Sequence, residues 1–168
     1  DLNNNTYTFT YTNGTLVSLS FPLVGNPSGW SYSYDADGRM LTKTDPQGYV
    51  TTYAYDTDGK VSSSQDPEGK TKAISYESST NTVTVTEKDG GIWNYKYDPV
   101  LNVTIQKTDP QGNVTTSQYD QSKNLLSTKE PDGGITSYTY DEYGNMASVT
   151  DTAGNTTSYT YNEYGQII

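Results

Sequence analysis

Cysteine and histidine are both missing from this 168-residue sequence. Without thiols, no disulfide can staple the chain and no thiolate chemistry is open to it. Without imidazole, it lacks the commonest general base and the commonest metal ligand. Large apolar residues are scarce as well: Leu, Ile, Val and Phe together number 26, beside 2 Met and 2 Trp. No segment approaches the roughly 18 consecutive apolar residues of a membrane-spanning helix, and no signal-peptide pattern is present. The 10 basic residues are scattered among 20 acidic ones, for a net charge of −10. Phosphate neutralisation needs clustered Lys and Arg, so nucleic acid is not an expected partner.

Few aliphatics and high net charge together are the composition of a disordered chain. The 17 tyrosines and 27 threonines oppose that reading. Tyrosine favours strands and buries a large ring while keeping a hydroxyl for a partner. Threonine is β-branched and packs well on a pleated surface. The composition predicts a folded β protein with an unusually polar core.

A Tyr-Asp core recurs at Tyr34-Asp35, Tyr55-Asp56, Tyr76-Glu77, Tyr97-Asp98, Tyr119-Asp120, Tyr140-Asp141 and Tyr161-Asn162. The steps between the tyrosines are 21, 21, 21, 22, 21 and 21 residues. So regular a step marks a duplicated structural unit. Each unit opens with Tyr-x-Tyr, as in Tyr32/Tyr34, Tyr53/Tyr55, Tyr95/Tyr97, Tyr138/Tyr140 and Tyr159/Tyr161, with Ile74/Tyr76 and Ser117/Tyr119 as weaker forms. Residues two apart share one face of a strand, so the rings pair on one side. A polar turn follows, carrying Gly38, Gly59 or Gly144, and then a short strand with an apolar residue six places after the tyrosine: Met40, Val61, Val103, Leu125, Met146 and Ile167.

A second turn closes the unit. Its clearest copies are Asp45-Pro46-Gln47-Gly48, Asp66-Pro67-Glu68-Gly69 and Asp109-Pro110-Gln111-Gly112. Aspartate can accept from nearby backbone N–H groups, proline presets the φ of a type I turn, and glycine takes the left-handed position that ends it. Such a turn connects hairpins, so the strands should run antiparallel in chain order. No window has apolar residues at helical spacing, so essentially no helix is expected. The expected fold is all-β: one long antiparallel sheet of about 14 strands, ~65 Å across, which should curl because open twisted sheets rarely exceed ~10 strands.

Two domains of the pattern are expected: residues 1–29, a worn repeat with an irregular link, and residues 30–168, about seven tandem units with the last cut short. In the first, Ser18-Leu19-Ser20-Phe21 reads as a second strand and residues 22–28 as the link; an unrelated leader is the alternative. Unit three lacks the usual glycine, having Glu77-Ser78-Ser79-Thr80-Asn81 before the alternating Thr82-Val83-Thr84-Val85-Thr86, and a bulge or altered turn is expected there. Asp98-Pro99-Val100-Leu101-Asn102 carries the insertion that lengthens one step to 22. The chain reads as a fragment of something longer.

Three features invite chemistry. The closing-turn acids Asp45, Asp66, Glu87, Asp109, Glu130 and Asp151 should stand in a row, where paired carboxylates could act as acid and base or hold a hard cation; turn capping explains them as well. Asp35-x-Asp37-Gly38 and Asp56-x-Asp58-Gly59 resemble the start of a calcium loop without its later ligands. The tyrosine ladder with Trp30 and Trp93 could stack sugar rings, although cross-strand packing needs the same rings. The expectation is no catalytic residue, no metal and no cofactor. Asn4, Asn13, Asn102, Asn113 and Asn155 lie in Asn-x-Thr frames, which matter only in a eukaryotic secretory host.

Tyr-x-Tyr-Asp-x-x-Gly-x-hydrophobic followed by Asp-Pro-x-Gly, at a step of 21, resembles the YD-repeat or Rhs (rearrangement hot spot) family. The resemblance covers residues 30–168 and is defined by Tyr34, Asp35, Gly38, Tyr53, Tyr55, Asp56, Gly59, Asp66, Pro67, Gly69, Tyr76, Tyr97, Asp98, Asp109, Pro110, Gly112, Tyr119, Asp120, Tyr138, Tyr140, Asp141, Gly144, Tyr159 and Tyr161. Members include bacterial Rhs polymorphic toxins, wall-associated proteins, B and C components of insecticidal toxin complexes, and teneurins. The resemblance implies a spiralling sheet that forms the wall of a hollow shell around a C-terminal, toxin-like payload, in a large secreted or surface protein. The self-cleaving region that ends complete shells has no counterpart in these residues. The expected role is therefore a non-catalytic wall whose partner is the rest of its own polypeptide, holding an unfolded payload loosely or attracting a basic one. The alternative is a surface adhesion module that binds glycan through its tyrosine face.

Overall fold

The computed structural model describes residues 6–20 and 29–168. Within them the chain forms fifteen strands and no helix. In order these are β1 (Thr8–Thr12), β2 (Thr15–Ser20), β3 (Gly29–Tyr34), β4 (Met40–Thr44), β5 (Val50–Tyr55), β6 (Val61–Gln65), β7 (Thr71–Glu77) and β8 (Thr82–Thr86). There follow β9 (Ile92–Asp98), β10 (Val103–Thr108), β11 (Val114–Tyr119), β12 (Leu125–Lys129), β13 (Ile135–Tyr140), β14 (Met146–Thr150) and β15 (Thr156–Ser158). They are antiparallel and follow chain order in one sheet without a crossover, as hairpin turns at both ends of each strand require. Contacts divide the chain into two compact units. One runs to Ile74 and includes Glu87–Gly90; the other comprises Ser75–Thr86 and Gly91–Ile168.

In the first unit, the register has two recurring features. Each repeat tyrosine faces a bulge: Tyr34 pairs with Met40 and Ser33 with Thr42, so Leu41 is the extra residue, and Tyr55/Val61 repeats this with Ser62. The β1–β2 hairpin has the same shift at Tyr11 and Leu16, around a two-residue Asn13-Gly14 turn with both φ angles positive. Each repeat also starts two residues further along than the last. Thr44 pairs with both Ser31 and Val50, and Gln65 pairs with both Thr52 and Thr71. Two residues of rise, about 6.7 Å, over two strand spacings, about 9.6 Å, slant the strands by roughly 35° to the row they form.

The second unit keeps both features. Bulges lie opposite Tyr119 and Tyr140, and the β9–β10 register shifts between Thr104 and Gln106. There the inserted residue at 98–102 makes Thr104, rather than Val103, the partner of Tyr97. The stagger recurs where Thr108 joins Asn94 to Val114, Lys129 joins Thr116 to Ile135, and Thr150 joins Ser137 to Thr156. A bulge is thus a standing part of the repeat rather than the mark of unit three. What distinguishes unit three is its turn, where Asn81 takes the left-handed conformation at φ 53 and donates its N–H to the Ser78 carbonyl. The Phe21 end of the expected second strand and the link at 22–28 lie outside the described residues.

The described residues enclose no core: none of them is fully buried. The expected polar core is instead a half-covered layer of rings. In β5 and β13, the faces alternate between exposed and half-buried, with Tyr53, Tyr55, Tyr138 and Tyr140 on the half-buried side. The rings therefore lie on the more covered side of the strands that carry them. Charge is sorted as well. Apart from Glu77 and Asp98, which end β7 and β9, no strand carries a carboxylate. The charges within strands are lysines: Lys43, Lys72, Lys96, Lys107 and Lys129. Acidity belongs to the turns, so the faces themselves do not offer the acidic surface expected to attract a basic payload.

Candidate functional site

The opening and closing turns have one structure. In the opening turn, Asp35 N–H donates to the Arg39 carbonyl at 2.9 Å and Gly38 N–H donates to the Asp35 carbonyl at 3.1 Å. Asp35 Oδ1 accepts from the N–H groups of Asp37 and Arg39 at 3.0 and 2.9 Å. In the closing turn, Asp45 N–H donates to the Tyr49 carbonyl and Gly48 N–H to the Asp45 carbonyl, both at 3.0 Å. Asp45 Oδ1 accepts from Gln47 and Tyr49 at 2.8 and 2.9 Å. Gly38 and Gly48 have φ of 80° and 87°, the left-handed region that suits glycine. The same pattern holds at Asp56, Asp109, Asp120, Asp141 and Asp151, and Asp66 keeps the bond from Lys70 N–H. Asp98 caps its longer turn through Val100 and Leu101, and Glu77 accepts from Ser79.

A residue type that escaped the sequence reading completes many of these turns. Asn113, Asn124, Asn145 and Asn155 stand four places after the aspartate and donate Nδ2–H to its second oxygen at 2.8–2.9 Å. These amides hold Asp109, Asp141 and Asp151 below the usual carboxylate range, helped by the turn N–H groups. Asp120 is lowered first by the Asn124 backbone N–H and then by its amide. The signal was legible as Asp-x-x-x-Asn, with glycine or lysine in the fourth place.

The turn aspartates are thereby committed to backbone, whereas Glu87 and Glu130 are not: Glu130 accepts from the Thr115 hydroxyl at 3.3 Å. Glu87 takes the Lys72 ammonium at 2.7 Å, and Asp66 takes that of Lys88 at 2.9 Å, which lowers the Asp66 pKa. Asp35 and Asp37 share Arg39 at 2.7 and 3.1 Å. Among the described residues, no three acidic side chains gather as a metal-binding group. Open grooves separate successive opening turns, as between Asp120 and Asp141 beside Tyr138 and Tyr140, but their aspartates already accept turn N–H groups.

In the pairs that end at Tyr34, Tyr55, Tyr140 and Tyr161 the two tyrosines differ. The second is tied to the preceding repeat: Tyr34 Oη–H donates to the Leu16 carbonyl, Tyr55 to Met40, Tyr140 to Leu125 and Tyr161 to Met146, at 2.8–2.9 Å. Each acceptor is the residue that stands opposite the previous repeat's tyrosine, at its bulge. Burial, foremost, pushes the Tyr140 phenol up. The first tyrosines, Tyr32, Tyr53, Tyr95, Tyr138 and Tyr159, make no such hydroxyl bond among the described residues. Tyr97 and Tyr119 stand opposite Thr104 and Leu125, and Tyr76 is the most exposed repeat tyrosine, at 37 %. Trp30 lies under Lys43 Nζ at 4.1 Å, and Trp93 under Lys107 Nζ at 4.3 Å.

Known structures share the fold. No curated protein matches the chain in sequence. In fold, it is similar to a chain of the TcdB2-TccC3-Cdc42 crystal structure, with a TM-score of 0.73 and 18 % identity over 94 % of this chain and 11 % of that one. It is similar also to a chain of the Tc holotoxin pore of Photorhabdus luminescens, with a TM-score of 0.70 and 18 % identity over 97 % of this chain and 11 % of that one. The TcdB2-TccC3 structure gives a TM-score of 0.64 and 14 % identity, over 98 % and 12 %. The chain thus spans about a tenth of the length of the solved chains it resembles. The RHS Repeat model matches residues 34–71, 97–135, 119–156 and 140–168, more than half of the chain. With its tyrosines, capped turns and step of 21 all in place, the chain belongs to the RHS repeat family.

Proposed function

We propose that this chain is a non-catalytic structural segment, a stretch of the wall of a hollow shell that encloses or presents a C-terminal, toxin-like domain of a large secreted or surface protein. The observation that carries this reading is the bond from Tyr34, Tyr55, Tyr140 and Tyr161 to the bulge of the repeat before each. A bond of that kind makes one repeat a fitting for the next, so the sheet extends by addition. The two-residue stagger supports the same reading, because a slant of roughly 35° is that of strands in a closed wall. The TcdB2-TccC3 chains, of which this chain spans about a tenth, support a role as one portion of a larger body. Residues 30–168 are the tandem array in this proposal, and residues 1–29 its worn first member. The repeat-defining tyrosines, aspartates and glycines serve structure, and the partner is the remainder of the same polypeptide.

The committed state of the turn aspartates favours a wall over an enzyme, since a carboxylate accepting two backbone N–H groups is a poor proton acceptor. Intact-mass analysis of the native protein, purified gently from its source, tests the proposal. A separately cleaved C-terminal fragment that stays bound to a much longer repeat-bearing chain is the expected result. A repeat-bearing chain with no retained fragment would turn the argument to adhesion.

A further inference from the structure

Eleven glycines take the left-handed conformation, and ten of them lie in opening and closing turns, each donating its N–H to the carbonyl that begins the turn at 2.9–3.1 Å. Gly14 is the exception. It stands exposed between β1 and β2 at φ 80, and its N–H makes no hydrogen bond among the described residues. The residue before it stands apart in the same way. The amides of Asn113, Asn124, Asn145 and Asn155 are held by aspartates, and that of Asn162 by Gln166. Asn13 is exposed at φ 50, and its side chain has no partner among the described residues.

Asn13-Gly14 is also the only Asn-Gly step in the sequence. Asn102 is the matched case. It too is exposed and left-handed, at φ 54, but Val103 follows it, and a β-branched side chain crowds the nitrogen that precedes it. Nothing crowds the Gly14 nitrogen: beyond its chain neighbours, no atom lies within 4 Å of where a Cβ would stand.

A free asparagine amide and the free nitrogen of the next residue are the two reactants of succinimide formation. We propose that Asn13-Gly14 is a site of self-modification, where the chain deamidates and, through isoaspartate, uncouples β1 from the sheet. The Gly14 nitrogen gives its proton to hydroxide and attacks Asn13 Cγ. The N–Cγ bond closes a five-membered ring while the Cγ–Nδ2 bond breaks. The amide leaves as ammonia with a proton from water, which restores the hydroxide. Water then opens the ring. Cleavage of the N–Cγ bond leaves aspartate. Cleavage between the Gly14 nitrogen and the Asn13 carbonyl carbon leaves isoaspartate, whose main chain runs through the former side chain.

The turn determines what isoaspartate does. Asn13 and Gly14 are a two-residue connection between the paired Thr12 and Thr15, and such a turn fits the strands only with both residues left-handed. One more main-chain carbon lengthens it by an amount that no strand register matches. Little else holds β1: its residues are all exposed, and it pairs with β2 alone. Ring closure needs the turn to open first, and an exposed outer hairpin is the part of a sheet that opens most readily. β2 stays in place, paired with β3 and bonded through the Leu16 carbonyl to Tyr34. The proposal does not depend on the wall reading, since the same turn would react in a wall or in an adhesion module.

The whole chain, warmed in mildly alkaline buffer and followed by peptide mapping, tests it. Asn13 should convert at least about tenfold faster than Asn102, at a rate that rises with pH, with isoaspartate among the products. Hydrogen exchange should show β1 amides opening in the isoaspartate form and the strands from β3 onward unchanged. Asn13→Asp brings the charge without the additional carbon and should keep β1 protected. Asn13→Gly leaves a Gly-Gly turn, which suits this hairpin, and should abolish the conversion while unfolding at the same temperature as the fresh parent. Conversion of Asn13 no faster than that of Asn102 overturns the proposal, as do β1 amides equally protected in the isoaspartate form and in Asn13→Asp.

Discussion

The Tyr55 hydroxyl donates to the Met40 carbonyl at 2.8 Å, across 15 residues and into the preceding repeat. Tyr53, two residues earlier on the same face, makes no hydroxyl bond among the described residues. The pair therefore separates the two duties of a tyrosine. Tyr55→Phe should cost about 1 kcal/mol, the net worth of a hydrogen bond whose loss strands a carbonyl. Tyr53→Phe should change stability by only a few tenths of that, since it removes no bond. Urea unfolding of the two variants decides the matter, and equal effects would contradict the division.

Lys123 occupies the glycine place of its turn at φ 67. A side chain in the left-handed region costs roughly 1–2 kcal/mol relative to glycine, part of which the extra freedom of unfolded glycine returns. Lys123→Gly should accordingly stabilise the chain, by about 0.5–1 kcal/mol. The reverse change, Gly144→Lys at φ 84, should destabilise it by a similar amount. Thermal unfolding midpoints that move the same way for both variants would refute the assignment.

Gly29 makes a different demand. A Cβ placed there would strike the Leu19 carbonyl on the facing strand. Gly29→Ala should therefore force β2 and β3 apart and cost about 1–3 kcal/mol, the range for overfilled contacts. Gly154→Ala meets no neighbouring atom within 4 Å and bears only the strain of φ 86. Hydrogen exchange should show amides of β2 and β3 opening in Gly29→Ala, with later strands unchanged.

Acid should loosen the turns in a defined direction. Asp109, Asp141 and Asp151 are held below their ordinary value near 3.8 by asparagine amides and then turn N–H groups, and Asp120 by a turn N–H and then its amide, because these donors favour the ionised form. A folded-state pKa below the unfolded one gives stability that is complete above the unfolded value and is lost as pH falls through the folded one. Stability should hold from neutrality down to about pH 5 and decline below about pH 4. Asn145→Ala should move the Asp141 titration, read by carboxyl carbon NMR, back toward its ordinary value. An unmoved titration would show that the amide plays no part.

Much of the fold was legible because turns and strand alternation are local. Asp-Pro-x-Gly announces its turn through proline and glycine, and Tyr-x-Tyr announces one face of a strand. The identity of the two turns was harder to read. Proline marks Asp45-Pro46 and leaves Asp35-Ala36 looking like another motif, although the hydrogen bonds at Asp35 and Asp45 are the same. The bulge opposite Tyr34 was hidden because neither Met40 nor Leu41 departs from an ordinary strand residue. The tyrosine bond to Met40 was hidden for a plainer reason: its acceptor is a backbone carbonyl, which every residue has. The lysine over Trp93 depends on register, and Lys107 is 14 places away with an insertion between.

The direction of the tyrosine bonds bears on how such a chain is made. Tyr34, Tyr55, Tyr140 and Tyr161 all reach toward residues of lower number. A ribosome has therefore already delivered the acceptor when each donor emerges. At about 5–20 residues per second a repeat takes roughly 1–4 s to synthesise, while a hairpin forms in about 1–10 μs. Each repeat can close and latch long before its successor appears, and no strand waits for a partner from the far end of the chain. Growth from the N-terminus becomes a series of short local steps, and a single sheet can lengthen during translation without a slow global search.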